Sequence, residues 1–180
     1  MFTLAPKWIT KGEIYHVNTK GYVGSWGGMQ YCPDGVFADG FIMRAQAPSS
    51  SDNTGANSVC LLCKNQHKCS KEGLWGEWSD EYKCPKGSFL YGWKQNVEWH
   101  TGVDNVEYKC RNMVTGEVTK TLKGNGYEWG SWSRFKGCPE NQFICGINTR
   151  VADWGGDDTA LNDIRHECCE MDPSRKKAKK

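Results

Sequence analysis

One short string recurs three times, and its spacing constrains what this chain can fold into. It reads Val23-Gly24-Ser25-Trp26, then Trp75-Gly76-Glu77-Trp78, then Trp129-Gly130-Ser131-Trp132. Six residues after each final tryptophan stands a Cys-Pro pair: Cys32-Pro33, Cys84-Pro85 and Cys138-Pro139. Eight residues after each of those cysteines comes a glycine with an apolar residue behind it: Gly40-Phe41, Gly92-Trp93 and Gly146-Ile147. The final tryptophans are 52 and 54 residues apart. Matches held at fixed offsets define an internal repeat, whose units bury their apolar faces against one another.

Each unit closes on a second cysteine, Cys63, Cys110 or Cys168, and Val59, Val106 and Ile164 each stand four residues before it. Alternating apolar and polar residues predict short strands near 13–17, 37–45, 57–63, 88–95, 104–110, 142–150 and 162–168. Gly, Pro, Asn and Asp clusters punctuate them as turns. Strands this short indicate an all-β sandwich, barrel or prism rather than βαβ units. No linker divides segments 10–65, 66–115 and 116–171, so residues 1–172 read as one domain. A chain of 180 residues buries about 70% of its unfolded surface and can support such a core.

Composition narrows the setting. Ten cysteines with 21 glycines and nine tryptophans point to an oxidising compartment and short half-buried strands. Residues 1–6 lack the basic start and apolar stretch of a secretory leader, so a secreted chain is expected here in leaderless form. No apolar run approaches the ~20 residues of a membrane-spanning helix. No Asn-x-Ser/Thr acceptor is present. The net charge of +2 resides in the tail, where Arg175, Lys176, Lys177, Lys179 and Lys180 leave the rest of the chain at −3. That excludes the basic face that nucleic-acid recognition needs. The sequence also lacks a His-Glu-x-x-His helix, a Gly-x-Ser-x-Gly elbow and a phosphate loop.

The Trp-Gly-Ser-Trp and Cys-Pro marks, the string Gly156-Asp157-Asp158-Thr159-Ala160-Leu161-Asn162 and the adjacent Cys168-Cys169 resemble the vitelline membrane outer layer protein family over residues 10–171. The resemblance implies a β-prism of three Greek-key sheets about a pseudo-threefold axis. It also implies a secreted protein of egg coats or other extracellular layers, with a fold shared by lectins. The second segment lacks the Asp-Asp-Thr string, the first has Asp52-Asn53, and the basic tail is an addition.

Repetition pairs Cys32 with Cys63 and Cys84 with Cys110, leaving Cys60 to pair with Cys69. Cys138 and Cys145 face Cys168 and Cys169 in an order the sequence leaves open. The competing reading is a zinc knuckle at Cys60, Cys63, His67 and Cys69. Repetition and secretion favour disulfides, and no metal or cofactor is expected.

The ligand candidates are loop residues: Trp154, Asp157, Asp158 and Asn162 in the third segment, Trp99 and Asp104 in the second, Asp52 and Asn53 in the first. Exposed indoles stack on sugar faces while carboxylates and amides bind hydroxyls. Against this, Asp and Asn also brace turns through their own backbone, and a loop tryptophan can cap a core. The repeating Trp26, Trp78 and Trp132, with Trp75 and Trp129, are expected to fill the core. Residues 173–180 read as a disordered basic tail suited to polyanions. Three functions follow: a non-catalytic carbohydrate-binding protein of an extracellular coat, a purely structural coat component, or a glycosidic-bond enzyme using the loop carboxylates.

Overall fold

Alternation with period two puts one residue set inward along each strand, and three such sets meet at one axis. The structure, a computed structural model, describes residues 7–16, 24–46, 55–99, 101–152 and 161–173. The chain opens with β1 (Trp8–Tyr15) and the two-residue strands β2 (Ser25–Trp26) and β3 (Gln30–Tyr31). The first long hairpin is β4 (Gly40–Ala45) and β5 (Ala56–Cys63), edged by β6 (Gln66–Cys69). Short β7 (Glu77–Trp78) and β8 (Tyr82–Lys83) lead to the hairpin β9 (Ser88–Glu98) and β10 (Gly102–Asn112), edged by β11 (Val118–Lys123). Short β12 (Ser131–Trp132) and β13 (Lys136–Gly137) precede the third hairpin, β14 (Phe143–Val151) and β15 (Leu161–Met171).

Three antiparallel five-stranded sheets result, ordered β6-β5-β4-β7, β11-β10-β9-β12 and β1-β15-β14-β2, with β8, β13 and β3 pairing β4, β9 and β14. Each is a Greek key, and together they form a β-prism. The sheets run out of phase with the sequence segments. The Trp-containing strand of every segment pairs with the preceding hairpin, Trp78 opposite Arg44 and Trp132 opposite Asn96. In the third sheet Trp26 lies opposite Arg150 and β1 edges β15, so the first strand joins the last.

At Gly40 and Gly92 the repeated glycine is explained by this crossing. A Cβ at Gly40 would strike the carbonyl oxygen of Tyr82 on β8, and one at Gly92 would strike that of Lys136 on β13. Only a residue without a side chain lets the next segment pass. The apolar residue behind each glycine then fills the axis, and Phe41, Trp93 and Ile147 are fully buried. Leu61, Tyr108 and His166 pair with them across the hairpins, and Val59, Val106 and Ile164 form the next layer.

The sequence expectation for the tryptophans is corrected here. Trp78 is exposed, Trp26 and Trp132 are half-buried, and Trp75 and Trp129 are exposed, so none belongs to the core. They lie outside under cations: Arg44 over Trp78, Lys94 and Lys123 over Trp132, and Arg150 and Arg165 over Trp26. Among the described tryptophans, Trp93 is the one at the axis.

Ten cysteines close five disulfides. Cys32–Cys63, Cys84–Cys110 and Cys138–Cys168 repeat at one end of the inward face, each tying a Cys-Pro turn to the end of a hairpin. Cys60–Cys69 and Cys145–Cys169 lie on outer faces. Sequence left Cys168 and Cys169 interchangeable, and the strand alternation assigns them. The zinc-knuckle alternative is overturned, because Cys60, Cys63 and Cys69 are all oxidised and have no thiolate to offer.

Candidate functional site

Two residues beyond the valine–isoleucine layer, the inward face turns polar. Asn57, Asp104 and Asn162 occupy equivalent positions six residues before the closing cysteines, and all three are buried. Ser58, Asn105 and Asp163 follow them, also buried. This is the end of the prism where the hairpins turn from β4 to β5, β9 to β10 and β14 to β15.

Two close approaches link the three sheets there. A Cβ on Gly55 would lie 2.5 Å from Asp104 Oδ1, and one on Gly102 would lie 2.8 Å from Asn162 Oδ1. Both glycines have positive φ, +49° and +82°, so position and conformation alike demand glycine. Each stands two residues before its own polar residue, and hands the next sheet round the axis.

These polar residues brace loops. Asn57 Oδ1 accepts from the Trp75 amide at 3.4 Å, and Ser58 Oγ accepts from the Gly73 amide at 3.0 Å. Asn105 Nδ2 donates to the carbonyls of Gly124 and Gly126 at 3.0 and 3.1 Å. Asp163 Oδ1 accepts from Gln95 Nε2 at 3.1 Å, and Trp93 Nε1 donates to Gln95 Oε1 at 3.4 Å. That line continues into the axis, where His166 donates from Nδ1 to the Gly146 carbonyl and accepts from the Tyr108 hydroxyl at 2.7 Å. Burial lowers the His166 pKa to about 3, which keeps the ring neutral and fits this tautomer.

Asp104 is the most perturbed carboxyl of this end among the described residues. The Thr101 hydroxyl donates to its Oδ1 at 2.5 Å, while the Thr101 amide donates to Glu98 Oε2 at 3.0 Å. Its Oδ2 is buried with no partner among the described residues. Burial raises its pKa to about 6, opposed by the Thr101 bond and reinforced by the charge of Glu98.

Above this floor the surface is aromatic. Trp99, at the tip of the β9–β10 hairpin, is 60% exposed. Trp75 is 59% exposed beside Leu74, and Trp129 is 43% exposed with its ring stacked on Tyr127, centroids 4.5 Å apart. Gly76 and Gly130 press against the backbone of Ala45 and Val97 at the hairpin ends, which brings Trp75 and Trp129 to this same end.

Of the sequence candidates, the structure puts Trp99, Asp104 and Asn162 at one end of the prism. Trp99 is in solvent, whereas Asp104 and Asn162 are buried, on the inward face of their strands. Asp52, Asn53, Trp154, Asp157 and Asp158 lie outside the described residues. Sequence reasoning missed Trp75, Trp129 and Tyr127 as surface groups. The available signal was Val23, which replaces the first tryptophan in one segment without disturbing the repeat.

Comparisons with known proteins bear on the family and the fold. The sequence model of the family described as Vitelline membrane outer layer protein I (VOMI) matches residues 13–171. The vitelline membrane outer layer protein 1 homolog of Mus musculus is 37% identical over 175 residues, covering 87% of this chain and 83% of that protein. The Homo sapiens homolog is 34% identical over 174 residues, covering 87% and 82%. Among solved structures, a prostate-specific WGA16 glycoprotein lectin matches with a TM-score of 0.56 at 14% identity, covering 87% of this chain and 97% of that one. At that identity the likeness carries the fold alone.

Proposed function

The chain belongs to the vitelline membrane outer layer protein I family, and from that premise we propose that it is a non-catalytic, carbohydrate-binding protein of an extracellular layer or secretion. The observation that carries the reading is Trp99, an indole held in solvent at a hairpin tip over the polar end of the prism. A flat apolar face supplies stacking for a pyranose ring, and neighbouring loop amides and carboxylates supply partners for its hydroxyls. Trp154, Asp157 and Asp158 on the β14–β15 connection, and Asp52 and Asn53 on the β4–β5 connection, are the groups we assign to those hydroxyls. The lectin named among the structural neighbours supports the reading through its shared architecture. Five disulfides support the extracellular location, since such bonds persist in oxidising compartments. Arg175, Lys176, Lys177, Lys179 and Lys180 add contact with polyanions, independent of the sugar site.

A glycan array tests the reading. Saturable binding of the intact protein, reduced at least tenfold in Trp99→Ala and in Trp154→Ala, is the expected result. An array on which both variants bind as the parent does would reject the site. Among the described residues, the Glu98–Thr101–Asp104 cluster favours the enzymatic alternative, a raised carboxyl beside a second carboxyl. Time-dependent cleavage of chitin-type oligomers, lost in Asp158→Asn or Asp104→Asn, would replace binding with hydrolysis. Neither binding nor turnover would leave a coat component without a ligand pocket.

A further inference from the structure

Trp75 and Trp129 are exposed at positions where the repeat does not require tryptophan. The cation-covered indoles Trp26, Trp78 and Trp132 form in all three sheets, and Trp26 does so with Val23 three residues before it. The first tryptophan is therefore dispensable to the clasp, yet two segments keep it in solvent. Trp75-Gly76-Glu77-Trp78 and Trp129-Gly130-Ser131-Trp132 both match the Trp-x-x-Trp acceptor pattern of tryptophan C-glycosylation, in which the first indole is modified and the second is read. No other tryptophan in the sequence has Trp or Cys three residues later.

We propose that Trp75 and Trp129 are C-mannosylation sites, modified in the secretory pathway. The donor class is a polyprenyl-phosphate mannose. A bond forms between the sugar C1 and the indole C2, and the C1–O bond to phosphate breaks with its electron pair leaving on the phosphate. The C2 proton passes to a base, and no oxidant or reductant is consumed. The fold accommodates the product, because both acceptor indoles are exposed, 59% and 43%, and a hydrated sugar on either remains in water. Their partners Trp78 and Trp132 stay under Arg44 and under Lys94 and Lys123. The proposal shares with the proposed function only the passage through the secretory pathway, and it is independent of whether the prism binds a sugar.

The test is peptide mass spectrometry of the full chain produced in animal cells that modify a Trp-x-x-Trp reporter, with medium and cell-retained protein both digested. The tryptic peptides 72–83 and 124–134 are expected to carry one hexose each, resistant to N-glycosidase and to alkaline elimination, with cross-ring fragments on Trp75 and Trp129. Trp78→Ala should abolish the hexose on Trp75 and leave the one on Trp129. Val23→Trp should create a third modified peptide, which keeps the proposal open to refutation even if Trp78→Ala does not accumulate. Unmodified peptides beside a modified reporter, a hexose on Ser79, Ser131 or Ser133 instead of the indole, or a Val23→Trp chain with no third hexose would overturn it.

Discussion

Asp104 is a carboxyl that the fold stabilises in its protonated form. In the unfolded chain it ionises near 3.8, in the folded one near 6, because burial disfavours the charge. Between those values the folded state binds the extra proton, so stability falls as pH rises through the window and the full cost persists above it. Asp104→Asn removes that cost while keeping an oxygen to accept from Thr101. The variant should therefore match the parent in urea midpoint near pH 3.5 and exceed it at pH 8, by no more than about 3 kcal/mol. A gap that is the same at both pH values would mean that the carboxyl is not proton-loaded. Sequence placed Asp104 where a loop meets a strand expected over 104–110, as a ligand group. What it could not show is that Gly55 of the preceding hairpin closes over it. For Trp99, which breaks the repeat, sequence left open a solvent indole or a cap on the core, and the structure holds it in solvent.

The same limit applied at the scale of the element. Fixed offsets showed which residues are equivalent but not which side they face, so Trp26, Trp78 and Trp132 were equivalent, as expected, yet on the outside. Six of the long strands, β4, β5, β9, β10, β14 and β15, followed from apolar alternation, whereas the strand expected near 13–17 caught only the last three residues of β1, which is largely exposed. Edge strands β6 and β11 did not, because Gln66–Cys69 and Val118–Lys123 are largely exposed and carry no apolar alternation. The two-residue clasps are too short to show any period. Their importance is testable at glycine. Gly76 has φ +93°, and a Cβ there would collide with the Ala45 carbonyl, so Gly76→Ala meets both strain and overlap at the β7 clasp. Gly116 has φ +75° with open space around it, so Gly116→Ala meets strain alone. Denaturant midpoints should place the cost of Gly76→Ala at roughly 2 kcal/mol or more and that of Gly116→Ala near ~1 kcal/mol. Equal costs would show that the clasp yields without loss.

Across the whole molecule, the threefold repeat was readable while the phase of the sheets was not, because a period says nothing about which copy a strand pairs with. The chain solves this by having every segment clasp its predecessor and β1 close the circle on β15. One consequence is that the two ends of the described chain meet, with Trp8 opposite Met171, so the basic tail leaves from beside the first strand. Charge is therefore segregated: five cations follow residue 173, and the remainder carries −3, with lysines such as Lys11, Lys83 and Lys94 paired to Glu170, Glu81 and Glu107. A body of that sign does not favour a sulphated surface, whereas a run of five cations adheres to one in a salt-screened manner. Deleting residues 173–180 should thus move the protein from salt-dependent retention on a heparin column to the flow-through, while Trp99→Ala elutes with the parent. Retention that survives the deletion would assign polyanion contact to the sheets instead, and a loss in Trp99→Ala would merge the two binding modes into one.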